Sequence, residues 1–174
     1  MPIRFVIDGG TGRLVFPADG TMQGAENLVL FVPREQPEDD HELQLMLSAG
    51  PATEAAADRW RAYHGQPRVS AFGSFGIEGV KYDGEVVEDA VSGPNALAGV
   101  EGKLCKRLNA DLPGLAAACV RAAGVHVKDP LAVGVDEFGV DLKARFGIVR
   151  LEFGTVASVA DVERMVEALL GGER

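Results

Sequence analysis

The sequence predicts an α+β protein: an antiparallel, barrel-like β half, then a half built as helix, helix, three-strand meander and helix. Three observations lead there. Short apolar runs bounded by Gly, Pro and Asp-Gly turns dominate the first ninety-odd residues, as antiparallel strands require. Residues 96–123 change to helix-like stretches, with Pro113 near one start and Gly124 at the end. Residues 131–153 return to three apolar runs separated by turns, before a last amphipathic segment. Ser92-Gly93-Pro94-Asn95 breaks the strand-rich region from the helical one, so the expected domains are 1–93 and 94–174.

In chain order, Phe5-Val6-Ile7 and Leu14-Val15-Phe16 flank Asp8-Gly9-Gly10-Thr11-Gly12 and predict a hairpin. The Gly-rich loop is not a phosphate loop, because no Lys-Ser/Thr follows it and the next element is a strand. Asn27–Val32 is a near-continuous apolar run, as in a buried strand, ended by Pro33. Residues 37–41 form an acidic loop, and Glu42–Leu47 alternates into a half-buried strand that Gly50-Pro51 is expected to stop.

Thr53–Tyr63 reads as a helix with Thr53 as N-cap, Ala56, Trp60 and Tyr63 on one face, and Gly65 past its end. Residues 69–91 return to strand character. Glycines separate the aromatics of Phe72-Gly73-Ser74-Phe75-Gly76, and Gly in a strand marks a bulge, a corner or a close approach. Asp83-Gly84 is a two-residue hairpin signal. Ala96–Leu108 and Asp111–Ala123 are the two helices, the second with Asp111 as N-cap. The meander follows, and Ser158–Asp161 then opens a terminal helix striped with Val162, Met165, Val166 and Leu169.

The formal net charge of −9 disfavours nucleic-acid binding, because the basic clusters Arg59/Arg61/Arg68 and Lys103/Lys106/Arg107 are interleaved with acids. Two cysteines, Cys105 and Cys119, make no disulfide framework. No apolar run is long enough to span a bilayer, and the first residues lack a signal-peptide core, so the expected setting is cytoplasmic, with no membrane partner.

No catalytic motif is present: there is no Gly-x-Ser-x-Gly elbow, and no His or Cys pair has metal-site spacing. Three histidines, His41, His64 and His126, are the available imidazoles, and His64 also suits a helix C-terminus. Arg34, just after an apolar run, is the candidate anion contact. Phe72 and Phe75 are candidates for contact with a flat ligand, because the glycines between them permit close approach.

The order of elements carries a resemblance. A helix ending Arg61-Ala62-Tyr63-His64 precedes Phe72-Gly73-Ser74-Phe75-Gly76, and two helices are joined by Arg107-Leu108-Asn109-Ala110-Asp111-Leu112. Gly134-Val135-Asp136, Asp141-Leu142 and Val149-Arg150-Leu151-Glu152-Phe153 follow. From about Ala52 onward this resembles the haem-utilisation proteins of the pyridoxamine-phosphate-oxidase-like split-barrel superfamily. In that family the connecting motif is His-Met-Asn-Ala-Asp-His; here Asn109, Ala110 and Asp111 match, while Arg107 and Leu112 stand where the two His belong.

The resemblance implies a split-barrel-like β domain, a small α/β domain and a homodimer. It also implies FMN or haem near the subunit interface, with Arg107 and Asn109 joining Arg34, His64, Phe72 and Phe75 as cofactor-binding candidates. Two other readings accompany it: a ligand-free regulatory protein that binds a protein partner, and an FMN-dependent oxidoreductase.

Overall fold

A computed structural model describes residues 2–32, 43–87 and 92–171. It is α+β with antiparallel sheets, as the sequence predicts. The chain divides into two compact units, Met1–Pro94 and Asn95–Arg174.

The first unit holds one six-stranded sheet. Its strands are β1 (Val6–Ile7), β2 (Leu14–Pro17), β3 (Leu28–Val32), β4 (Leu43–Pro51), β5 (Phe72–Tyr82) and β6 (Glu85–Val87). They lie in the order β1-β2-β5-β4-β3, with β6 also beside β5. β5 is the spine. One of its edges pairs with β4 from Gly73 to Tyr82. The other pairs with β2 over Phe72–Phe75 and with β6 over Val80–Tyr82. The β5–β6 turn has Asp83 at φ 51 and Gly84 at φ 81, the left-handed pair that a two-residue hairpin needs.

Alternation along the strands sorts the side chains. Leu45, Leu47, Phe75 and Val80 share the inner face with Leu14 and Phe16, and the Phe16 and Phe75 rings stack with centroids 4.1 Å apart. Val15 and Phe72 point to the opposite face, which helix α2 (Glu54–His64) covers with Trp60. The Trp60 Nε1–H donates to the Arg4 carbonyl at 2.6 Å, which satisfies the polar end of a buried indole. Thr53 caps α2 by accepting from the Ala56 N–H.

Three features differ from the sequence expectation. β3, expected as a buried strand, has no buried residue and leaves Val29 exposed, because it is the edge strand of the sheet. β4 runs through Gly50-Pro51, because Gly50 pairs with Ser74 and Pro51 with Gly73; beyond Leu47 β4 has β5 on one side and no β3 on the other, and a proline is tolerated at such an edge. A four-residue helix, α1 (Gly20–Gln23), capped by Asp19, was not expected; it has no buried residue and so leaves no apolar period to read. Arg34, His41 and the acidic loop at 37–41 lie outside the described residues.

The second unit is the meander β7 (Leu131–Asp136), β8 (Gly139–Ala144) and β9 (Gly147–Glu152) with helices α3 (Ala98–Leu108), α4 (Leu112–Ala123) and α5 (Val162–Gly171). Its core joins Leu104, Leu108, Leu115 and Val166 to Val135, Val140, Leu142 and Leu151. Asp111 caps α4 by accepting from the Gly114 N–H, and Gly124 ends it in the left-handed conformation. At Gly139 a Cβ would collide with the Leu151 carbonyl oxygen, so β8 and β9 approach as closely as they do only with glycine there.

Candidate functional site

The site is built on the face of β4 and β5 that α2 partly covers. Ser48 sits opposite Gly76 and Gly50 opposite Ser74, so two hydroxyls and two bare glycines form a small checkerboard across the strands. Arg13, at the entry to β2, lies over it. Its Nε donates to Ser74 Oγ at 3.0 Å, and its Nη2 donates to the carbonyls of Ser48 at 3.0 Å and Ser74 at 3.1 Å.

The glycines are needed for this. A Cβ on Gly76 would lie 2.6 Å from Arg13 Nη1 and 2.9 Å from Ser48 Oγ, and one on Gly50 would lie 3.2 Å from Arg13 Nη2. Ser74 is the one buried polar side chain among the described residues, and Ser48 donates to Glu78.

The setting makes the guanidinium unusual. Residues 1–94 carry seven Lys/Arg against fifteen Asp/Glu, a net of −8, whereas residues 95–174 carry ten against eleven. Among the described residues Arg13 has no carboxylate partner. It is a pinned cation held by neutral oxygens inside an acidic unit.

An aromatic cluster adjoins it. Phe72 is two residues from Ser74 on the same face of β5, about 7 Å along the strand. Trp60 meets Phe72 edge-on at 5.5 Å and His64 at 4.9 Å, and the Arg61 guanidinium lies 5.1 Å from the Phe72 ring centre. His64 Nε2 is 3.1 Å from the Phe5 carbonyl. A carbonyl only accepts, so Nε2 carries the proton in that contact. The structure thus brings His64 and Phe72 together around Trp60. Phe75, on the other face of β5, is fully buried against Phe16.

Arg107 and Asn109 belong to the second unit and face different neighbours. Arg107 pairs with Glu167 and, at 3.6 Å, with Glu163, both on α5. Asn109 donates through Nδ2 to the Ala132 carbonyl at 3.0 Å, and its Oδ1 accepts from the Ala132 N–H at 2.7 Å. It acts as a surrogate strand for the free edge of β7. Asn95 donates to the Val135 carbonyl at 2.7 Å and Glu101 accepts from the Val135 N–H at 3.1 Å, completing that seal.

On the outer face of the meander, Arg150 bridges Asp136 and Asp141. Partial burial opposes its charge, but the hydrogen bonds it donates to the two carboxylates outweigh that and hold the guanidinium's pKa above its usual value.

Arg13 and Ser48 escaped sequence reasoning. The available signal was the run of glycines between aromatics, which indicated close approach without naming what approaches. Arg13 and Ser74 are 61 residues apart, and no local pattern links them. Among the described residues no group of three His, Cys, Asp or Glu is placed to hold a metal ion, and no helix is long and apolar enough to cross a membrane.

No family model matches the chain. No curated protein matches it. Among solved structures it is similar to a protein of unknown function from Agrobacterium tumefaciens str. C58, with a TM-score of 0.68 and 18% identity over 97% of this chain and 82% of that one. A heme binding protein from Mycobacterium smegmatis aligns over 98% of this chain and 84% of that one at 14% identity, with a TM-score of 0.40. The likeness to the Agrobacterium tumefaciens protein is one of fold.

Proposed function

We propose that the first unit binds a planar, conjugated cofactor bearing an acidic tail, flavin or tetrapyrrole in kind, and that it does so as a split-barrel-like homodimer without catalytic residues of its own. The observation that supports this reading is the adjacency of Arg13 to Phe72 on one strand face: a pinned cation, two hydroxyls and an aromatic cluster within one side-chain row. A phosphate or propionate would take hydrogen bonds from the guanidinium and the Ser74 hydroxyl, the Ser48 proton being held by Glu78, while the ring would lie toward Phe72, Trp60 and His64. For a tetrapyrrole, His64 is the candidate axial imidazole.

The test is spectral titration of the purified protein with FMN and, separately, with haem. Saturable binding at or below the micromolar range, about −8 kcal/mol, supports the reading. For haem, His64→Ala should abolish the Soret shift. A protein that ignores both ligands overturns it and leaves the interaction-protein reading. That alternative has its own observation: Val29 and Met46, cross-strand neighbours on the same sheet face, are 48% and 49% exposed, and Val86, across β5 on β6, is 69% exposed.

A further inference from the structure

We infer that the second unit carries a separate binding site for a small amphipathic anion, a carboxylate with an apolar body, in the groove between α4 and α5. The groove has a volume of about 570 Å³, within the range of small-molecule sites. Its floor is apolar: Ala118 and Ala122 from α4, Met165 and Ala168 from α5, and Phe153 at the end of β9.

The groove follows from how α5 is held. On one flank, Lys103 and Arg107 of α3 pair with Glu163 and Glu167 and close the contact. On the other flank, Ala118, Ala122 and Ala168 are too short to fill the space between the helices. Arg121 ties the far end, donating through Nη2 to the carbonyls of Leu169 at 2.7 Å and Leu170 at 3.1 Å.

The charge at the rim selects the occupant. Arg121 and Arg164 both line the groove, and among the described residues neither forms an ion pair with a carboxylate. Glu152 is the one acid in the lining, at the β9 side, and it disfavours a head group there. Two guanidinium groups over an apolar trough match a molecule with one anionic end and an apolar remainder.

Dodecanoate is the probe, titrated calorimetrically into the full chain, with dodecanol as its uncharged counterpart. The expected result is saturable one-to-one binding of dodecanoate and at least tenfold weaker binding of dodecanol. Arg164→Glu should weaken dodecanoate at least tenfold and Arg164→Lys should restore most of it. Ala122→Trp, at an exposed position on α4, should fill the groove and abolish binding, with unchanged circular dichroism confirming the fold of each variant. Absence of dodecanoate binding, or binding that survives either Arg164→Glu or Ala122→Trp, would overturn the inference.

Discussion

Arg13 and its two glycines are a lock in which each residue is intelligible only through the others. Removing the guanidinium would leave Ser74, buried on the strand face, without its partner, and adding a methyl at Gly76 would press on the guanidinium. Gly76→Ala should destabilise the protein by about 1–3 kcal/mol, as overpacking does, and most of that cost should disappear in an Arg13→Ala background. A double-mutant cycle in urea measures the coupling; additive effects would mean that Gly76 does not act through Arg13.

Asn109 makes a second residue-scale case. Its side chain supplies both hydrogen bonds of a missing strand to Ala132, so Asn109→Ala should cost about 2–4 kcal/mol by leaving a backbone donor and acceptor unpaired. Asn109→Asp keeps the acceptor alone and should recover only part. The sequence suggested a helix-end role or a ligand role for this position. It could not show that the helix end abuts a sheet edge 23 residues away.

At the scale of elements, most of the fold was legible because its signals are local. The Thr53 and Asp111 caps, the Asp83-Gly84 turn, the Gly124 stop and the stripe on α5 each lie within one turn or one hairpin. What was not legible is pairing at a distance. β4 passes through Gly50-Pro51 because β5 lies beside it, and β5 runs unbroken through its three glycines, Gly73, Gly76 and Gly79, because β2, β4 and β6 all brace it.

The packing of α3 on α5 adds a prediction about pH. The hydrogen bond from Lys103 holds the Glu163 carboxyl below the usual glutamate range, with the charges of Lys103 and Arg107 adding to it. A carboxyl with a depressed folded-state pKa stabilises the fold above its unfolded value, and that stabilisation is lost as pH falls through the folded value. Urea midpoints should therefore fall on acidification below the ordinary glutamate range, and Glu163→Gln should flatten that part of the profile. Because the pair is exposed, high salt should flatten it as well.

At the scale of the whole molecule, the two units have separate cores and different charge. The second unit has a continuous core of its own, from Leu97 to Val166, and should fold when residues 95–174 are made alone. Cooperative thermal unfolding of that fragment is the check; a fragment without a transition would make the units interdependent. The buried Cys119, whose thiol pKa burial raises, should stay unreactive to a thiol reagent in the native chain while the half-buried Cys105 reacts first.

Whether Arg13 grips the acidic tail of a planar cofactor in the first unit is tested most directly by comparing FMN and haem affinity between the wild-type chain and Arg13→Ala, with Arg13→Lys as the charge-keeping control. Loss of a charge-assisted hydrogen bond of about 1.5–3 kcal/mol predicts roughly 10- to 100-fold weaker binding in Arg13→Ala for whichever ligand the wild type takes. Equal affinity in the folded variant, or no binding by the wild type, would mean that Arg13 holds no cofactor tail.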